Sequence, residues 1–122
     1  VNRRLLGAES ERLAVKYLKS RGYKIVCRNW TCYAGEIDIV ALEKHLIFIE
    51  VKSAKGGFCS PCEMFTHKKK KHLERSINTF LEQNFKDKNI PEYRLDLICV
   101  FHFWGVGSKH LYHYKNILNT LI

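Results

Sequence analysis

The sequence lacks the features that would place it in several large protein classes. No apolar run approaches the ~20 residues needed to cross a bilayer, so a helical membrane span is excluded. Proline is scarce, two in 122 residues, and there is no low-complexity linker or internal repeat. One domain over residues 1–122 is therefore expected. No signal peptide is expected, because Gly7 and Glu9 follow Leu5-Leu6 before any apolar region can form behind Arg3-Arg4. Walker-type glycine loops, dinucleotide fingerprints and Ser-His-Asp arrangements are absent. Acid is short: 12 Asp and Glu stand against 21 Lys and Arg, leaving +9. That excess favours a polyanionic partner, nucleic acid before an anionic membrane. The five cysteines are an odd count in a chain that is 46 % apolar, enough to build a core. Free thiols in a reducing cytoplasm fit this better than a disulfide framework.

What is present reads as alternating helices and strands. Leu13, Ala14, Tyr17 and Leu18 form an apolar stripe within a helix over 8–21, which Gly22 stops. A strand over 23–28 is followed by a loop over 29–35. Residues 36–42 and 46–52 are two strong strands joined by Glu43-Lys44-His45 as a hairpin. Gly56 to Pro61 reads as a mobile loop. A long helix over 63–84 carries Phe65, Leu73, Ile77, Phe80 and Leu81 at helical spacing, with a buried strand over 94–103 and an edge strand over 109–114 behind it. The order is α-β-β-β-α-β-β, an α/β fold with a central mixed β-sheet flanked by helices.

The hairpin carries the chemistry. Gly35-Glu36-Ile37-Asp38-Ile39-Val40 and Ile47-Phe48-Ile49-Glu50-Val51-Lys52 place three carboxylates and a lysine inside strands of Ile, Val and Phe. Burying charge among such neighbours costs several kcal/mol unless something compensates. A three-residue turn centred on Lys44 sets Leu42 against Leu46, Val40 against Phe48, Asp38 against Glu50 and Glu36 against Lys52. The polar residues then share one face, with Ile37, Ile39, Ala41, Ile47, Ile49 and Val51 on the other. Facing carboxylates, roughly 4.5–5.5 Å apart at Cβ, share a proton, pair with lysine or bind a divalent cation. Hard oxygen ligands suit Mg²⁺ or Mn²⁺, one ion or two. Lys52 would then orient a water or stabilise developing charge, the layout of metal-assisted phosphodiester hydrolysis. A surface ion pair is the bland alternative.

Other features weigh less. Glu11 sits at the edge of the first helix's stripe, facing either the sheet or solvent. In the run His67-Lys68-Lys69-Lys70-Lys71-His72, helical spacing puts Lys69 and Lys70 beside the stripe and Lys68 and Lys71 away from it. Lys69 is the best placed to reach a phosphate, and a solvated basic face is the alternative. Cys59 and Cys62 have zinc-like spacing that Cys27 and Cys32 would have to complete, at an unusual interval. Asp96, isolated in a buried strand, reads as a structural hydrogen-bonding group.

Asn29-Trp30, Gly35 to Val40 and Phe48 to Lys52 together resemble the bacterial YraN family. Leu6-Gly7, Glu11 to Ala14, Thr66, Lys69 and Arg94 to Ile98 extend the likeness over about residues 5–101. That family belongs to the PD-(D/E)xK, restriction-endonuclease-like superfamily and is similar to Holliday junction resolvases. The resemblance implies that fold, with Asp38 and Glu50 as metal ligands, Lys52 as catalytic lysine, Glu11 as an additional acid and Glu36 as a possible accessory. Ser10 stands where the family usually has glycine. The expected activity is a Mg²⁺- or Mn²⁺-dependent nuclease acting on DNA more than RNA, structured or branched DNA included, with pairing of two copies by analogy. The alternative is a non-catalytic nucleic-acid-binding protein whose acidic cluster is vestigial.

Overall fold

The computed structural model describes residues 3–55, 65–86, 88–102, 107 and 109–117. Helix α1 (Arg3–Ser20) leads into strands β1 (Lys24–Cys32), β2 (Gly35–Leu42) and β3 (Leu46–Lys55). Helix α2 (His67–Asn84) then precedes β4 (Tyr93–His102) and β5 (Lys109–Tyr114). The five strands form one sheet in the order β1-β2-β3-β4-β5. All pairs are antiparallel except β3–β4, which is parallel. A parallel pair needs a crossover, and α2 lies in it. The expected α-β-β-β-α-β-β order and mixed sheet are therefore what the chain adopts.

Each helix covers one face. Ala14, Val15 and Leu18 of α1 pack on Ile39, Ala41, Ile47, Ile49, Ile98 and Val100. Leu73, Ile77, Phe80 and Leu81 of α2 pack on Val40, Phe48, Leu95, Leu97 and Cys99. The central strands are buried on both faces, so β4 reads as a nearly unbroken apolar run with seven consecutive buried residues from Leu95 to Phe101. Gly22 closes α1 in the left-handed region at φ 87°, and the Tyr23 N–H reaches back to the Leu18 carbonyl at 3.0 Å.

Three boundaries differ most from those expected, while β3 runs three residues further, to Lys55, and β2 and β4 shift by one. Strand β1 runs on through Asn29 to Cys32 where a loop was expected, and Cys32 pairs with Gly35. Asn29, at φ 51°, sits inside the strand, so its turn-like chemistry is used within an edge strand, not to end it. Helix α1 starts at Arg3, ahead of the apolar stripe that marks its middle. Helix α2 starts at His67, because Thr66 caps it: the Thr66 Oγ1 accepts the Lys69 N–H at 3.3 Å; residues 63 and 64 of the expected helix lie outside the described residues. The expected loop at Gly56–Pro61, and Cys59 and Cys62 with it, lie outside the described residues. Among the described residues Cys27, Cys32 and Cys99 form no disulfide.

Candidate active site

The β2–β3 hairpin has the register its sequence predicts: Leu42 opposes Leu46, Val40 opposes Phe48 and Ile39 opposes Ile49. The ladder stops there, one pair short of Asp38 and Glu50. Beyond it β3 stays paired with β4 as far as Lys55. Asp38 turns its own carboxylate into the opening, and its Oδ2 accepts the Val51 N–H at 2.8 Å. A side chain thus satisfies a backbone donor that the ladder no longer uses.

One expectation fails at this point. Ile37 does not share a face with Ile39. It packs with Val40, Phe48 and Phe80 on the α2 side, whereas Ile39 packs on the α1 side. Trp30, opposite Ile37, meets Phe80 of α2 edge-on at 5.2 Å. That contact anchors the end of the hairpin to α2, and the two-residue alternation slips across Asp38.

The polar residues still converge. Burial first, then the hydrogen bond and charge of Glu50, push the Asp38 carboxyl up from 3.8 to about 7, against the opposing pull of the Val51 N–H. Glu36, on the exposed rim, is raised by burial and by the charge of Asp38. Lys52 Nζ lies 3.4 Å from Glu50 Oε2, and these side chains are only 22 % and 17 % exposed. Burial works against the Lys52 charge. The carboxylates of Glu50 and Asp38 outweigh it, so its affinity for the proton rises. Lys69, from the first turn of α2, is shifted down by the Lys52 contact and by burial. Thus β2, β3 and α2 bring Glu36, Asp38, Glu50, Lys52 and Lys69 to one spot. Among the described residues no group of three or more His, Cys, Asp or Glu forms a metal-holding cluster. The acidic pair stands with Glu36 at its edge.

Glu11 is placed differently. Its Oε1 is held by Arg28 at 3.2 Å, and no described contact joins it to Asp38 or Glu50. Arg28 stands opposite Ile39, next in sequence to Asp38, so this ion pair flanks the site from the α1 side. Lys70 is half-buried, while Lys68 and Lys71 are exposed.

Sequence reasoning missed a polar line beneath α1. The Ser53 hydroxyl donates to the fully buried Ser10 Oγ at 2.5 Å, and Ser10 Oγ lies 2.9 Å from His102 Nε2. These residues are too far apart in sequence for any local pattern to link them. Asp96 is the structural group expected. It is completely buried and accepts from Arg94, His113 and the Asn116 N–H.

The sequence profile of the uncharacterised protein family UPF0102 matches residues 10–100, which span α1 to β4. Individual relatives agree over most of their length. The chain is 38 % identical to the UPF0102 protein of Carboxydothermus hydrogenoformans over 125 residues, covering 98 % of this chain and 99 % of that one. It is 44 % identical to the UPF0102 protein of Thermotoga maritima over 104 residues, 80 % of this chain and 93 % of its relative. The fold and these matches agree, and the chain belongs to family UPF0102, related to YraN and the PD-(D/E)xK restriction-endonuclease-like superfamily.

Proposed function

We propose that this protein is a divalent-metal-dependent nuclease that hydrolyses phosphodiester bonds of DNA, structured or branched DNA included. The observation that carries the reading is the opening of the β2–β3 ladder, where Asp38 meets Glu50 beside Lys52. Two carboxylates crowded into a half-buried opening must share a proton or gain a cation. The donor set is hard oxygen, which fits Mg²⁺ or Mn²⁺, with Asp38 and Glu50 as the holding residues. Such an ion supplies Lewis acidity and a more acidic bound water.

The remaining roles belong to the chain. Lys52 holds its charge beside Glu50 and is placed to orient the attacking water and to stabilise the charge that develops on the phosphate. Lys69 and Lys70 supply phosphate contacts at the start of α2, and the net charge of +9 draws the polyanion in. Glu36 tunes Asp38 from the rim. Glu11 acts at one remove, by fixing Arg28 at the flank.

Cleavage of linear, flapped and four-way DNA with Mg²⁺ or Mn²⁺ tests the reading. The wild type should cut at least one of them, and Asp38→Ala should abolish cutting while its circular dichroism stays native. Metal-dependent cleavage that survives Asp38→Ala unchanged overturns it. One observation favours a second reading: no three-residue metal cluster is formed among the described residues. A vestigial site would give salt-sensitive DNA binding and no turnover with either ion.

A further inference from the structure

Helix α1 and the edge strand β5 leave a groove between them that the acidic pair does not use. It holds about 350 Å³, and its floor is apolar: Leu13 and Tyr17 of α1, Val100 of β4 and Leu111 of β5. Val100 is buried, and Leu13 and Leu111 are half-buried against the α1-side core. Tyr17 is fixed in place. Its hydroxyl lies 2.9 Å from His113 Nδ1, its ring meets His113 edge-on, and the Arg21 guanidinium stands 5.4 Å from the ring centroid. The rim is cationic, with Lys16 on one side and Lys109 on the other. Lys16 also belongs to a stripe. Arg12, Lys16 and Lys19 are exposed at i, i+4 and i+7, on one face of α1, where like charges repel. The helix's own acids are engaged elsewhere, Glu9 with Lys109 and Glu11 with Arg28. Among the described residues no ion pair engages Arg12, Lys16 or Lys19.

We propose that this groove holds an unpaired nucleotide of a nucleic-acid strand, its base on the apolar floor and its flanking phosphates on Lys16 and the rest of the stripe. A nucleotide joins a flat base to a phosphate on either side. Sites for single strands combine the matching parts, cations along the backbone and a platform for the base. A duplex keeps its base faces inside the stack. A second copy of this chain would bring cation against cation. A lipid surface takes up a protruding apolar face, and this one is recessed. The groove borders β4 and β5, away from the β2–β3 opening. It rests on the reading of this protein as one that acts on nucleic acid, and it adds a single-stranded segment to what is recognised.

The test is binding in EDTA, where nothing is cut. Fluorescence anisotropy compares a short oligothymidine with an abasic strand of equal length, which keeps every phosphate and loses every base. The wild type should bind the base-bearing strand about tenfold tighter. Lys16→Met should weaken that binding and reduce the slope of log affinity against log salt by about 0.7, the share of one phosphate contact on a single strand. Leu111→Glu should erase the preference for bases, with a thermal melt to confirm its fold. Lys16 is exposed, so its variant keeps the test decisive if Leu111→Glu does not fold. Equal affinity for the two strands, or a salt slope that Lys16→Met leaves unchanged, overturns the groove. So does a preference that survives in folded Leu111→Glu or is lost in Lys68→Met, on α2. Tighter binding of polyglutamate, or of vesicles of phosphatidylglycerol and phosphatidylcholine in equal parts, overturns it in favour of an acidic protein or a membrane. Its failure is distinct from failure of the nuclease reading. A wild type that cuts DNA but binds both strands alike sinks the groove alone. A protein that prefers bases through Lys16 and Leu111 but never cuts sinks the nuclease reading alone.

Discussion

Two aspartates on inner strands of the same sheet meet opposite fates. Asp96 on β4 is completely buried, yet its carboxyl is held below the ordinary range. Burial alone would raise it. His113, Arg94 and the Asn116 N–H more than offset that, and an ionised Asp96 accepts from all three. Asp38 on β2 is less buried, yet its carboxyl rises to about 7. It faces the Glu50 carboxylate, and the hydrogen bonds from the Val51 N–H and from Glu36 only partly offset that and its burial. Depth does not decide between them. The count of donors against acceptors does. A surplus of donors locks a carboxylate into the architecture, and a deficit leaves it reactive toward a proton or a cation.

The largest expected effects separate the two sites outright. Asp38→Ala should lower metal-dependent cleavage by more than about a thousandfold with little loss of stability, read by gel assay and urea unfolding. Asp96→Ala should do the reverse. It strands Arg94 and His113, so unfolding should show a loss of about 3–5 kcal/mol.

The pH dependence sharpens the contrast. The folded chain keeps a proton on Asp38 that the unfolded chain releases near its ordinary value of 3.8. The stability this contributes is present in acid and is lost as pH rises through about 7. Asp96 has the opposite sign: its contribution is present above the ordinary carboxylate value and is lost as pH falls through its depressed one. Thermal melts across pH should therefore lose their decline toward neutrality in Asp38→Asn and keep it in Asp96→Asn.

Smaller effects test the surroundings. Lys52→Ala should slow cleavage roughly a hundredfold, since it removes one charged group from the reacting phosphate. Thr66→Ala should cost about 1 kcal/mol of stability by uncapping α2, measurable by urea unfolding.

Much of this was legible in the sequence, and the exceptions have physical reasons. The turn at Lys44 and the β2–β3 register follow from period-two patterning, because a slip of one residue would expose every apolar side chain. That rule holds up to Ile39 and fails at Ile37. Contact between Trp30 and Phe80, 50 residues apart, draws the hairpin end toward α2, and no local pattern encodes it. The ending of the ladder before Asp38 was equally invisible, although it creates the opening. Asp96 was legible as a buried hydrogen-bonding group, but only Arg94 among its partners is near in sequence. Asn29 misled for a chemical reason: its left-handed backbone favours turns, yet it sits within an edge strand here.

The proposed function requires Asp38 and Glu50 to hold one ion between them. Calorimetric titration of Mn²⁺ into the wild type and into Asp38→Asn, at pH about 8 where Asp38 has lost its proton, measures that directly. Binding to the wild type should be saturable, and the variant should lose at least about tenfold in affinity. Equal binding by the two proteins, or none by the wild type, would contradict it.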